Sequence, residues 1–334
     1  MPRRTVYEQL DDAVQAVLAH VGAPPKAAGK IAPLVRLAAQ LRGLPRASFR
    51  DRLRSELQAR IQPSSNPAVS QEEKMATTIV SPIPAGYRTI TPYIVVQRAA
   101  ELIAFVKQAF GAEEKFRSTG SAGGIHCEVQ VGDSMMMIGG GGAWKGTPMP
   151  TAIHLYVEDA DAAYERAMQA GATTLQPPMD KFYGDREGNV QDPFGNHWYI
   201  ATHKATGRAP QGMPSVTPYL LPREPKKVID FLQRAFGAEE LGRAESEGVV
   251  HHARLRMGTS TLEMGQAHPP FNPMPTMFYL YVEDVDTLYA RALAVGATSI
   301  HAPADQSYGD RSGGVTDPFG NQWYIATHIK DVTP

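Results

Sequence analysis

Residues 183–203 read YGDREGNVQDPFGNHWYIATH, and residues 308–328 read YGDRSGGVTDPFGNQWYIATH. Seventeen of the 21 positions match, at a spacing of 125 residues. Upstream, HLYVEDADAAYERAMQAGAT from His154 pairs with YLYVEDVDTLYARALAVGAT from Tyr279 at the same spacing. Further upstream, TPY at Thr91 and AFGAEE at Ala109 return at Thr217 and Ala235, now 126 residues on. An internal duplication outranks every other signal in deciding a fold. The copies run from about Ile90 to His203 and from about Val216 to His328.

Each copy is itself two similar halves. A strand leads into an amphipathic helix that ends in Gly-Ala, and two or three short strands follow. Leu102, Phe105, Val106 and Phe110 fall on one helical stripe, as do Val228, Phe231, Leu232 and Phe236. Gly111, Gly171, Gly237 and Gly296 close the four helices, where the left-handed conformation suits glycine. IHCEVQV, SMMMIG, HHARLRM and STLEMG then switch to strand period. The pattern predicts an α+β protein built from one strand–helix–strands unit used four times. A sheet of three or four strands with one helix buries a single face well, so such units are expected in pairs around a cavity.

The motifs TPY, AFGAEE, LYVED, YGDR and DPFGN-x-WYIATH resemble those of the vicinal oxygen chelate superfamily of glyoxalases, bleomycin-resistance-type binding proteins, fosfomycin-resistance enzymes and extradiol dioxygenases. The likeness is strongest to the glyoxalase/bleomycin-resistance-like branch of the phosphonate-operon-associated type. It implies two tandem domains, residues 87–205 and 213–330, each of paired βαβββ modules forming an open U-shaped β-sheet. The superfamily's metal enzymes carry one His, Gln or Glu on the first and last strand of each module. Carried onto this chain, those positions are Thr91, Met137, Ala152 and Tyr199, then Thr217, Glu263, Met277 and Tyr324. Of these only Glu263 is a plausible ligand for a divalent ion. A shift of two residues keeps the strand face and brings in His154, which has no carboxylate partner on neighbouring strands of its own copy. No cofactor is therefore expected, with a divalent metal as the minor alternative.

Composition narrows the rest. The 33 Lys and Arg against 34 Asp and Glu give a net charge of −1, so no global field gathers nucleic acid. A single cysteine, Cys127, excludes an intrachain disulfide and any multi-cysteine metal site. No apolar run reaches the roughly 18–20 residues of a membrane span, and MPRRTVYEQLDDAVQ is not a secretory signal. A cytoplasmic location follows as the default. Residues 1–62 hold eleven basic and five acidic side chains and read as a helical region with helices at 5–21, 26–43 and 47–61. Residues 63–86 read as a linker containing QPSSNPAVSQ, after which the repeat unit opens.

The candidate site residues are polar and aromatic side chains at repeat-related positions. His126 and His252 occupy matching strand positions, and alternation puts His126, Glu128 and Gln130 opposite Cys127, Val129 and Val131. His126 and Cys127 therefore cannot pair as a nucleophile and base. His154 has Tyr279 as its counterpart, so a mechanism shared by both copies cannot need histidine there. Met137, Tyr93, Tyr199, Tyr219 and Tyr324 suggest an apolar, aromatic cavity. YGDR and DPFGN read as turns that set strand register, with an Asp185–Arg186 pair at the cavity mouth and Tyr183 reaching inward as the functional variant. His203 and His328 are expected to pair with backbone at strand ends. Gly139–Gly142 precede Trp144 and Lys145 without the Lys-Ser/Thr pair of a phosphate-binding loop, so a connector is expected, with Trp144 as a lid.

The leading expectation is a metal-independent small-molecule-binding protein of the sequestration or resistance type. It would bind its ligand through Tyr93, His126, Met137, His154, Tyr199, Tyr219, His252, Glu263, Tyr279 and Tyr324. The alternative is a glyoxalase-like lyase or isomerase that uses a divalent metal, or Glu263 and His252, for proton transfer. A regulatory module with the basic helices as interaction element is the third. A small-molecule ligand is the expected partner, with neither nucleic acid nor membrane. The two copies are expected to form an internal pseudo-dimer, with a homodimer as a further option.

Overall fold

The computed structural model of the protein describes residues 80–120 and 122–332. The chain divides between Thr77 and Thr78 into two units, and all described residues belong to the second. The helical region expected at 1–62 and most of the linker lie outside the described residues.

Four βαβββ modules follow one another. The first is β1 (Ile90–Val95), α1 (Ala99–Phe110), β2 (Glu113–Thr119), β3 (Ile125–Val131) and β4 (Ser134–Gly140). The second is β5 (Ala152–Tyr156), α2 (Ala160–Gln169), β6 (Thr173–Asp180), β7 (Asp185–Gln191) and β8 (His197–His203). The third is β9 (Val216–Leu220), α3 (Pro225–Phe236), β10 (Glu239–Ser246), β11 (Val249–Met257) and β12 (Ser260–Met264). The fourth is β13 (Met277–Tyr281), α4 (Val285–Ala294), β14 (Thr298–Asp305), β15 (Asp310–Thr316) and β16 (Gln322–His328). None of the described helices is long and apolar enough to cross a membrane.

Local chemistry explains the helix ends. Asp159 and Asp284, the last residues of the two VED motifs, accept the backbone N–H groups of Ala162 and Thr287 and so cap α2 and α4. Gly111 and Gly237 end α1 and α3 at φ 67° and 72°, a left-handed conformation that glycine adopts without a side-chain penalty. Helices α2 and α4 stop one residue earlier than expected, at Ala170 and Val295, with the positive-φ glycine just after.

The DPFGN motifs are register devices, as their turn chemistry predicts. One Asp192 carboxylate oxygen accepts the N–H groups of Phe194 and Asn196, both at 2.9 Å. The other accepts the Asn196 amide at 2.8 Å and the Trp198 indole N–H at 3.0 Å. Asp317, Asn321 and Trp323 repeat the arrangement. Both indoles are wholly buried, so the motif fixes the largest core side chain of each copy through its one polar atom.

The strands form two eight-stranded mixed sheets, ordered β14-β15-β16-β13-β1-β4-β3-β2 and β10-β11-β12-β9-β5-β8-β7-β6. The paired modules that the repeat implies are present, and the pairing runs between the copies. The first and fourth modules share one sheet, joined by antiparallel β1 and β13. The second and third share the other, joined by β5 and β9. The apolar cores follow the copies, α1 and α2 with their strands in one and α3 and α4 in the other, except that Val216 joins the first and Ile90 the second. Each sheet thus has a helix-covered face and an inner face that lines a cup to which both copies contribute.

Candidate functional site: two unlike cups

In β7 and β8, Val190, Trp198 and Ile200 point into the core. Alternation therefore turns Asp185, Glu187, Asn189, Gln191, His197 and Tyr199 to the cup. The four mismatches between the two 21-residue repeats are Glu187/Ser312, Asn189/Gly314, Gln191/Thr316 and His197/Gln322. All four lie on the cup face. The scaffold is duplicated and the lining is not.

The cup of the second and third modules, called cup B, is built on a charged pair. His154 on β5 faces Thr217 across the β5–β9 seam, and Glu263 on β12 lies one strand further. His154 Nδ1 donates to Glu263 Oε2 at 2.8 Å. Its Nε2 is 3.8 Å from Glu187 and has no hydrogen-bond partner. Burial disfavours the imidazolium, but the charge and hydrogen bond of Glu263, aided by Glu187, hold the His154 pKa above its ordinary value. Burial pushes the Glu263 carboxyl up, and His154 and His252 more than reverse this, leaving it well below the usual carboxylate range. Arg254 Nε at 3.3 Å and His252 Nε2 at 3.6 Å approach its other oxygen. Glu187 accepts the Tyr183 hydroxyl at 3.0 Å and lies 3.5 Å from Lys181 Nζ. Above this floor Tyr199 packs on Tyr219 at 4.8 Å and stacks on Phe271 at 5.7 Å.

Cup A, from the fourth and first modules, carries Tyr279, Met137, Ser312 and Glu128 where cup B has His154, Glu263, Glu187 and Arg254. Met137 is buried against Tyr279, Tyr281 and Ala326, with Ile83, Tyr87, Tyr93 and Tyr324 packed around them. The Tyr279 and Tyr281 hydroxyls donate to Asp310 at 2.8 and 3.1 Å. The Tyr93 hydroxyl is 2.9 Å from His126 Nδ1, and His126 Nε2 is 3.4 Å from Glu128. Tyr93 crosses over Gly139, where a Cβ would sit 2.9 Å from the ring.

The structure thus sorts the ten expected ligand-binding residues into two groups. Tyr93, His126, Met137, Tyr279 and Tyr324 meet in cup A; His154, Tyr199, Tyr219, His252 and Glu263 meet in cup B. His154 does have a carboxylate partner, supplied by the other copy, because the modules pair across the duplication. Glu263 makes its hydrogen bond to His154, with His252 further away. His203 and His328 pair with the carboxylates of Asp185 and Asp310, at 2.7 and 2.8 Å, where backbone partners were expected. The Asp185–Arg186 pair does not form: successive strand residues face opposite ways, and Arg186 reaches Asp161 at 2.7 Å on the helix side. Tyr183 does reach inward, to Glu187. Trp144 lies against the backbone of Gly124 and Gly140 and over Gly146 of its own loop. Glu187, Arg254 and Tyr87 are further lining residues, outside the set expected from the sequence.

The four metal-ligand positions of the superfamily fall as Thr91, Met137, Tyr324 and Met277 or Tyr279 at cup A, a set without a strong donor. At cup B they are Thr217, Glu263, Tyr199 and Ala152 or His154, and the two strong donors already bind each other. Among the described residues no three His, Cys, Asp or Glu side chains converge so as to hold a metal ion. These residues do not fit the superfamily's divalent-metal site.

Comparison with known proteins agrees with the architecture. An uncharacterized protein of Mycobacterium bovis is 35% identical over 131 residues, covering 36% of this chain and 86% of its own. A Mycobacterium tuberculosis protein matches at the same identity over 77% of its length. The crystal structure of glyoxalase I from Zea mays superposes with a TM-score of 0.55 at 16% identity, covering 72% of this chain and 92% of that one, a likeness of fold. The model of the Glyoxalase/Bleomycin resistance protein/Dioxygenase superfamily matches residues 88–200 and 216–325, so the chain belongs to that superfamily, with one match on each copy.

Proposed function

We propose that the chain is a cytoplasmic small-molecule-binding protein of the sequestration type that uses its cups without a resident metal. The observation that carries this reading is the state of Glu263. Its carboxylate is already shared among His154, Arg254 and His252, so a dication entering cup B would meet three cationic or proton-bearing groups around one anion. A bound molecule would instead exchange polar contacts with His154 and Glu187 and lay a flat apolar part against Tyr199, Tyr219 and Phe271.

The test is ligand-observed NMR on the full chain with a panel of aromatic carboxylates, amines and alcohols, before and after chelator treatment. The reading expects at least one compound to bind cup B with unchanged affinity after chelation. Binding that appears only when a divalent metal is added would contradict it.

A second reading, proton transfer next to a carbonyl as in a glyoxalase-like lyase or isomerase, is favoured by one feature. His154 Nε2 is buried without an acceptor, and Glu263 and Glu187 favour the protonated imidazole, which would act as a proton donor to a substrate that opened a path to it. In that reading His154 and Glu263 act as the pair, with His252 as a neighbour. Catalysed proton exchange on an α-hydroxy or α-oxo aldehyde, lost in His154→Gln, would establish it.

A further inference from the structure

Cup A differs from cup B most sharply at one repeat-related position, where Glu128 stands in place of Arg254. In cup B each carboxylate faces a basic side chain: Glu263 faces His154 and Arg254, Glu187 faces Lys181, and Asp185 faces His203. In cup A Asp310 pairs with His328. Among the described residues Glu128 has His126 as its one ion-pair partner, and that contact is long, 3.4 Å, with the other ring nitrogen bonded to Tyr93. The Glu128 side chain is 23% exposed, so it remains open to the cup.

Glu128 on β3 lies opposite Met137 on β4, and Tyr87, Tyr93, Tyr281 and Tyr324 belong to the cluster packed around Met137. Tyr87 and Tyr281 meet edge to face at 5.6 Å, and Tyr281 packs on Tyr279 at 5.0 Å. The buried Tyr87 hydroxyl makes no short hydrogen bond but lies beside Glu128, and with His126 it holds that carboxyl below its ordinary value against the opposing effect of burial. Ring faces carry negative potential, and a cation held over several of them beside a half-buried anion gains from both. No lysine or arginine in the described ion pairs competes for the position.

We propose that cup A is a site for an organic cation, a tertiary or quaternary ammonium group seated among Tyr87, Tyr93, Tyr281 and Tyr324 with Glu128 as its counter-ion. The inference rests on the reading of the cups as small-molecule sites and adds the ligand class for one of them.

The experiment titrates the full chain, carrying methyl-labelled methionine, with choline and with its carbon isostere, in which a tert-butyl group replaces trimethylammonium. The Met137 methyl on the cup floor is the reporter. Choline is expected to shift this signal and to bind at least about tenfold more tightly than the isostere. Glu128→Gln, checked for an unchanged melting temperature, is expected to weaken choline about tenfold and leave the isostere unaffected. Equal binding of the two compounds to the unaltered protein overturns the cation assignment while leaving cup A a small-molecule site. A Met137 signal that neither compound moves overturns the assignment too, and the panel on cup B then decides the broader reading separately.

Discussion

His154 Nδ1 and Glu263 Oε2 are 2.8 Å apart although 109 residues separate them in the chain. They come from different copies of the duplication, and the hydrogen bond crosses the β5–β9 seam that joins those copies. Both side chains are buried, Glu263 at 1% exposure. One contact therefore serves the cup's chemistry and the union of the copies.

Breaking that pair from one side leaves a buried polar group without its partner. Glu263→Met alone is expected to cost about 1–3 kcal/mol in urea unfolding, because His154 Nδ1 loses its acceptor in a buried site. His154→Tyr together with Glu263→Met reproduces the Tyr279 and Met137 of cup A and is expected to recover most of the loss. Additive losses in this double-mutant cycle would show that the two residues act independently.

The pair also dictates a pH window. The His154 pKa is raised, so its contribution is complete below its ordinary 6.5 and is lost as pH rises through the folded value. The Glu263 pKa is depressed, so its contribution is complete above its ordinary 4.5 and is lost as pH falls through the folded value. Relative to the His154→Tyr, Glu263→Met variant, the stability of the unaltered protein is expected to be greatest between pH 4.5 and 6.5 and to decline on both sides. A difference that instead grows above pH 8 would reverse the assigned sign.

Asp192 holds four donors with two oxygens, so an amide in its place forfeits acceptors. Asp192→Asn is expected to destabilise the fold by about 3 kcal/mol or more, since charge-assisted hydrogen bonds contribute about 1.5–3 kcal/mol each. A melting temperature within a degree of the parent would show that the motif is dispensable.

These sites divide by how local their causes are. The modules, the helix stripes and the Asp192–Trp198 turn rest on contacts within a few residues, and repetition doubled each signal. Which modules would share a sheet was not legible, since β1 pairing with β5 or with β13 satisfies the same alternation. The His154–Glu263 pair was hidden for that reason: both residues stood out, but in different copies. Glu187 carried a usable signal, because the mismatches in the long repeat fall on alternate residues and so mark one strand face. Arg254 carried one too, since it lies two residues from His252 on β11 and so shares its face, whereas Tyr87 carried none, as it precedes the first strand.

Cross-copy pairing makes its own forecast. Ile90 N–H donates to Ser260 Oγ at 2.8 Å and Val216 N–H to Ser134 Oγ at 3.1 Å, a reciprocal clasp between the first and third modules. Residues 80–210 and 211–334, expressed as separate chains in one cell, are expected to co-purify through a tag on either. Recovery of the tagged half alone would mean that each copy closes a cup by itself.

The central claim, that the cups work without a resident metal, is tested most directly by elemental analysis of the full chain purified without chelator. Transition and alkaline-earth metals are expected well below one ion per chain, with no change in Glu263→Gln. One tightly held divalent ion per chain, lost on that substitution, would contradict the account.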